Sequence, residues 1–279
     1  MAEALGRLLT EQRNPASANI DRLSTAEMLR VINDEDRKVA EAVAPQIPSI
    51  ARAVDAIVEA MEKGGRLFYV GAGTSGRLGV LDASECPPTF NVPAGLVQGI
   101  IAGGGPAMTH SVEGAEDSPA AGARDLLESC FTARDVLVGI AASGRTPYVL
   151  GAVAEARRLG AVTAGISCTP QSELSEAVDI AIEPLPGPEV VTGSTRLKAG
   201  TATKLVLNML TTGVFIRRGY VVGNLMVNVQ PTNEKLRDRA RRIIAQVAEV
   251  SYERAGELLA EGGNDVRAAI SKSRGENHG

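Results

Sequence analysis

A chain of 279 residues with 44% apolar content can bury a substantial core, as one large domain or one domain with a small appendage. Its 29 Lys and Arg against 33 Asp and Glu leave a formal charge of −4, and aromatic residues make up only 3%. No basic surface for a polyanion and no stacking platform for bases is expected, which argues against nucleic acid as a partner.

The 3 cysteines, Cys86, Cys130 and Cys168, form no CxxC pair and read as free thiols of a reducing compartment. Met1 to Asn19 carries Glu3, Arg7, Glu11 and Arg13 with no apolar core, unlike a secretory signal. No later run reaches the roughly 18 uninterrupted apolar residues of a membrane span. A cytoplasmic protein without a membrane partner is the expectation.

In chain order, Ser24-Thr25-Ala26-Glu27 is a capping-box signature, and helix is predicted from there to Lys63. Breaks are expected near Pro45 and Pro48 and a stop at Gly64-Gly65, which makes residues 1–54 an N-terminal helical arm. Five short apolar runs follow: Leu67–Val70, Leu96–Ile101, Val136–Ile140, Val162–Ile166 and Asp179–Ile182. Near-continuous apolar strands are buried on both faces, and helical segments such as Pro147–Leu159 separate most of them. Strand, helix, strand in this order predicts an α/β fold, a parallel sheet sandwiched by helices, over residues 55–222.

After Pro186-Gly187-Pro188 comes a polar connector and then a helix expected to bury Ala202, Leu205 or Val206, Met209 and Gly213. Its opposite face carries Thr201, Lys204, Asn208 and Thr211, which amphipathicity alone would turn to water. Residues 223–279 read as a small C-terminal helical bundle, with a cap at Ser251, a stripe through Ala255, Leu258 and Leu259, a stop at Gly262-Gly263 and a new start at Asn264. The polar stretch Lys272 to Gly279 is expected to be disordered.

Two stretches at strand ends carry the chemistry. Gly71-Ala72-Gly73-Thr74-Ser75-Gly76 and Ala142-Ser143-Gly144-Arg145-Thr146-Pro147 read as glycine-and-hydroxyl loops leading into helices. Such loops offer backbone N–H groups, small hydroxyls and a positive helix end to a phosphate. Ordinary helix N-caps use the same residue types, and a GxGxxG-like string also suits a dinucleotide. Two hydroxyl-bearing loops fit one monophosphate better than a pyrophosphate. Glu85, beside Cys86-Pro87-Pro88, and Glu116, in Glu113-Gly114-Ala115-Glu116-Asp117, are candidate proton-transfer groups among acidic residues that are mostly solvated. His110 is read as structural or as bordering the site, and Lys198 and Lys204 as either phosphate-balancing or solvated.

These residues resemble a known family. Gly71 to Phe90, Glu113 to Ser118, Gly139 to Tyr148 and Gly193 to Leu210 are similar to the N-acetylmuramic acid 6-phosphate etherases, as are Arg13–Ser17, Ile32–Asp36 and Gly223–Val227. The resemblance covers most of the chain. It implies a sugar isomerase domain with a five-stranded parallel sheet, a phosphorylated sugar as substrate and a homodimer. It also implies Thr74, Ser75, Ser143 and Thr146 as phosphate positions, with Ser84, Gly144 and Lys198 among the substrate contacts, and Glu85 and Glu116 as the two functional carboxylates. Family members commonly extend further at the C-terminus.

The implied substrate carries a D-lactyl ether on C3. Ring opening exposes an aldehyde that acidifies the C2 proton, so a base at C2 and an acid at the ether oxygen together eliminate lactate, and water adds back at C3. Each well-placed acid or base typically contributes ~10²–10⁴-fold. Two carboxyl groups suffice, and neither metal nor cofactor is required. Glu85 is assigned as the acid and Glu116 as the base. Rival readings are an aldose–ketose isomerase, which needs no acid at the C3 oxygen, and a non-catalytic sugar-phosphate sensor like the glucokinase regulatory proteins, which would be expected to be longer.

Overall fold

The computed structural model describes residues 9–273. The chain divides into two compact units, one made of residues 1–85 and 95–211, the other of residues 86–94 and 212–279.

In the first unit, α1 (Thr25–Asp36) starts at the predicted capping box. The Ser24 hydroxyl accepts the Glu27 N–H at 3.4 Å, and the Glu27 carboxylate accepts the Ser24 N–H at 3.0 Å. Next come α2 (Lys38–Val43) and α3 (Ile47–Glu62). Pro45 falls in the 3-10 turn Ala44–Gln46 and Pro48 in the first turn of α3, where a missing N–H breaks no helical bond.

Strands β1 (Leu67–Gly71), β2 (Val97–Ile101), β3 (Val136–Ile140), β4 (Val162–Ile166) and β5 (Ile180–Ile182) form one all-parallel sheet in the order β2-β1-β3-β4-β5. Every residue of β1 and β3 is buried, as their unbroken apolar runs require. Helices α5 (Pro119–Glu128) and α6 (Pro147–Arg158) cover the face that carries Phe68, Val70 and Leu137. Helix α4 (Gly73–Phe90) lies against the face of Tyr69 and Gly99. Two glycines set its depth there: a Cβ on Gly99 would stand 2.5 Å from Val80 Cα, and one on Gly79 2.8 Å from Tyr69 Cβ. The remaining elements of this unit are α7 (Glu173–Ala177) and most of α8 (Lys198–Arg217).

Two expectations about these helices are corrected. The stretch after β1 is not a loop: only Ala72 separates the strand from α4, so Thr74, Ser75 and Arg77 lie in the first turns of a helix. That helix runs through Pro87 and Pro88. The inward face of α8 is also rotated from the predicted one. Thr211 is buried and Met209 exposed, because the face that packs inward is Ala202, Thr203, Val206, Leu207, Leu210 and Thr211. By length and composition α8 is apolar enough to cross a membrane, but 56% of its apolar stretch is buried in the protein, the signature of a core helix.

In the second unit the hairpin β6 (Val221–Val222) and β7 (Leu225–Met226) is joined by Gly223-Asn224. Helices α9 (Glu234–Ala248), α10 (Tyr252–Glu261) and α11 (Val266–Ser273) follow, capped at Asn233 and Ser251. Ile244, Ala255, Leu258, Leu259, Ala269 and Ile270 form its core, and Ala255, Leu258 and Leu259 are the predicted stripe. The last helix starts later than Asn264, which is left-handed (φ 66°): Asp265 accepts the N–H groups of Arg267 and Ala268. Lys272 and Ser273, assigned from sequence to a disordered tail, are the end of α11, and residues 274–279 lie outside the described residues.

Candidate active site

The strand order places β2 on one side of β1 and β3 on the other. The chain therefore reverses direction across the sheet between β1 and β3, and the crevice beyond the carboxyl ends of such strands is where open parallel sheets bind ligands. The two hydroxyl-bearing segments leave β1 and β3 at this point, since Gly71 pairs with Ile140 in the last register position. Adjacent strands stand roughly 4.8 Å apart. The N-termini of α4 and α6 open beside each other there; α4 presents the N–H groups of its first turn, whereas α6 begins with Pro147 and has its Tyr148 and Val149 N–H groups bonded to the carbonyls of Glu116 and Thr146.

The hydroxyls differ in how they are used. Thr146 is the N-cap residue of α6, yet its side chain makes no capping bond. The hydroxyls of Thr74, Ser75 and Thr146 have no hydrogen-bond partner among the described residues. Ser143 Oγ accepts the Arg145 N–H at 3.4 Å and shapes its turn. Gly144 is required for that turn: it has φ 67°, and a Cβ would stand 2.2 Å from Ser172 Cβ. Ser84, by contrast, is spent inside α4, donating to the Leu81 carbonyl at 2.7 Å.

Glu116 lines a cavity of about 410 Å³ together with Gly73, Arg77, Ala102, His110 and Glu113. The Glu116 carbonyl accepts the Tyr148 N–H at 3.0 Å, which ties its segment to the first turn of α6. His110 thus borders the site, its Nδ1 2.9 Å from the Thr109 hydroxyl. Glu85 lies elsewhere. It is exposed on α4, twelve residues or about 18 Å beyond Gly73 by helical rise, and does not line this cavity.

Lys198 is corrected as a substrate contact. It is fully buried, and its ammonium donates to Glu35 at 2.6 Å and to the Pro186 carbonyl at 2.9 Å. Burial pushes the Glu35 carboxyl up, but hydrogen bonds from Lys198, Lys38 and Asn14 together outweigh it and hold the group at about 2. Lys198 also begins α8, whose first N–H groups, those of Lys198 and Ala199, are accepted by the buried Glu189 carboxylate at 2.9 and 3.0 Å. This clamp fixes α8 against the cradle, for a Cβ on Gly200 would lie 3.5 Å from Thr74 Cγ2. Further along, Asp82 accepts hydrogen bonds from Tyr69 (3.0 Å) and Thr211 (3.3 Å), and burial raises its pKa.

Sequence reasoning missed Glu35, Glu189, Asp82 and Arg77. Glu35 and Asp82 sat within quoted motifs, but only the folded chain brings their partners together. For Arg77 the signal was present: one turn after the phosphate hydroxyls, it is on the helix face that points to the site.

Compared with known proteins, residues 49–157 match the model of the glucokinase regulatory protein N-terminal SIS domain. The phosphoheptose isomerase from Francisella tularensis is similar in structure, with a TM-score of 0.56 over 70% of this chain and 100% of that one at 18% identity. A phosphosugar isomerase from Bacteroides fragilis gives 0.53 over 71% and 94% at 22%. At those identities the likeness establishes the fold, a sugar isomerase domain. Over 266 residues the chain is 58% identical to the N-acetylmuramic acid 6-phosphate etherase of Photorhabdus laumondii, spanning 95% of this chain and 88% of that one. The chain belongs to the N-acetylmuramic acid 6-phosphate etherase family. The etherases of Aeromonas hydrophila, at 58%, and Pectobacterium atrosepticum, at 56%, match over the same 95% of the chain.

Proposed function

We propose that this chain is a carbon–oxygen lyase that cleaves the D-lactyl ether of N-acetylmuramic acid 6-phosphate, yielding N-acetylglucosamine 6-phosphate and D-lactate. The observation that carries this reading is the 56–58% identity to etherases along 95% of the chain. The geometry agrees with it. Spare hydroxyls and helix N-termini suit the 6-phosphate, and a carboxylate borders the adjoining cavity.

In this reading Thr74, Ser75, Ser143, Gly144 and Thr146 hold the phosphate. The Glu116 carboxylate takes the C2 proton of the open-chain aldehyde. The electron pair forms the C2–C3 double bond and the C3–oxygen bond breaks as Glu85 delivers its proton to the departing lactate. Water then adds at C3, its proton going to Glu85, and Glu116 returns a proton to C2. No net oxidation occurs. Exposed Glu85 shares its α4 surface with exposed Leu81, four residues before it. We read this as a face covered in a homodimer, which would bring Glu85 into an enclosed site. We further read the enzyme as cytoplasmic and serving peptidoglycan recycling.

The test is direct. Incubated with N-acetylmuramic acid 6-phosphate, the protein releases D-lactate, and its absence above background refutes the reading. Glu85→Gln loses lactate release but still exchanges the C2 hydrogen in deuterated water, whereas Glu116→Gln loses both. An isomerase would instead form a ketose from an aldose 6-phosphate without needing Glu85.

A further inference from the structure

The proposed substrate bears two anionic groups, the 6-phosphate and the lactyl carboxylate. The cradle at the β1/β3 reversal offers neutral donors suited to the phosphate. The carboxylate needs a cation of its own, because a desolvated charge without a partner is costly.

Most cations near the site are engaged. Lys198 is enclosed with Glu35, Lys204 is bonded to Asn208, and Arg145 lies 3.3 Å from Glu173. Arg77 is the one Lys or Arg among the cavity-lining residues, and it forms no ion pair among the described residues. Two backbone carbonyls fix it: Nε donates to Met108 at 3.1 Å and Nη2 to His110 at 3.1 Å. These bonds hold the planar guanidinium in one orientation while Nη1 stays uncommitted, the preorganised form of a carboxylate receptor.

Its anchors also follow a different strand from the second hydroxyl segment. Met108 and His110 follow β2, whereas Ser143 to Thr146 follow β3, on the opposite side of β1. The Arg77 guanidinium is thus held within the cavity of Glu116 by the segment that follows β2. We propose that Arg77 is the specificity-determining residue that binds the lactyl carboxylate. This rests on the etherase reading and adds to it the group that tells an acidic ether from other sugar 6-phosphates.

The experiment measures binding, so that chemistry does not intervene. N-acetylmuramitol 6-phosphate, reduced at C1, lacks the aldehyde needed for elimination. Its lactamide keeps the ether but not the charge, and N-acetylglucosaminitol 6-phosphate lacks the lactyl group altogether. Titration calorimetry compares the three ligands on the wild type, Arg77→Met and Arg77→Lys. Wild type binds the acid about 10- to 100-fold more tightly than the lactamide, the range for a charge-assisted bond. Arg77→Met loses that preference and binds the lactamide and the lactyl-free compound within about 3-fold of wild type; Arg77→Lys keeps part of it. A wild type with no preference for the acid overturns the proposal. So does an Arg77→Met protein that weakens on all three ligands, which marks a phosphate contact or damage to the 108–110 segment, or one that weakens on none. A wild type that releases no lactate from the unreduced substrate refutes the etherase reading instead, whatever Arg77 does.

Discussion

Replacing Lys198 by Met removes one partner of a buried pair and leaves Glu35 enclosed with Asn14 and Lys38. The two side chains are 1% and 5% exposed, so solvent screens them little. Breaking a buried pair from one side costs about 3–5 kcal/mol. Holding Glu35 at about 2 instead of 4.5 corresponds to about 3 kcal/mol at neutral pH, shared among Lys198, Lys38 and Asn14. For a unit of this size a loss of about 3–5 kcal/mol lowers Tm by roughly 6–20 °C. The sign in acid follows from the lowered pKa. Glu35 contributes its full stabilisation above the ordinary carboxylate range near 4.5 and loses it as pH falls toward 2. The gap between wild type and Lys198→Met therefore narrows from pH 7 to pH 3. The double variant Lys198→Met/Glu35→Gln removes both charges and recovers most of the loss. Urea titrations of the four proteins at both pH values make the double-mutant cycle. A gap unchanged at pH 3, or a double variant as unstable as the sum of the singles, refutes the argument.

Other outcomes follow from the same geometry. Gly144→Ala, forced onto φ 67° and into Ser172, raises KM for the sugar phosphate at least tenfold and destabilises by about 2 kcal/mol, read by kinetics and thermal melting. Glu189→Gln weakens the cap on α8 and leaves buried N–H groups poorly paired, costing about 1–2 kcal/mol in chemical denaturation, and KM rises because Thr74 loses its backing. Burial, with the nearby Glu189 charge, pushes the Cys168 thiol up to about 12, and Cys86 is also buried. Iodoacetamide at pH 8 therefore labels exposed Cys130 in the native protein, and all three cysteines only after unfolding, as mass spectrometry of the adducts will show.

The sheet was legible because its strands are short, apolar on both faces and punctuated by Gly and Pro. Val136–Ile140 and Val162–Ile166 fall where the sequence places them. Thr74–Gly76 misled as a loop because a glycine string after a strand reads as flexible, whereas here Gly71 and Gly73 supply the turn within a single residue of linker. On α8, Met209 and Thr211 exchanged places since amphipathicity assigns faces by polarity, while Thr211 satisfies its hydroxyl with Asp82 and Leu207 and so is buried without penalty. The hairpin at Gly223-Asn224 carried a two-residue turn signal between apolar pairs that the reading did not use. Lys198 failed as a phosphate ligand for a different reason: its counter-charge, Glu35, is 163 positions away in the chain.

The glycine seat of α4 has an evolutionary consequence. Because helix and sheet meet there with no room for a Cβ, a side chain gained at Gly79 or Gly99 would push α4 outward and carry the wall bearing Thr74, Ser75 and Arg77 with it. The segment that follows β2, by contrast, includes Gly105, whose backbone is not left-handed and where an added Cβ would meet nothing within 4 Å. A change of specificity is therefore more easily reached by decorating the 103–118 segment than by moving α4.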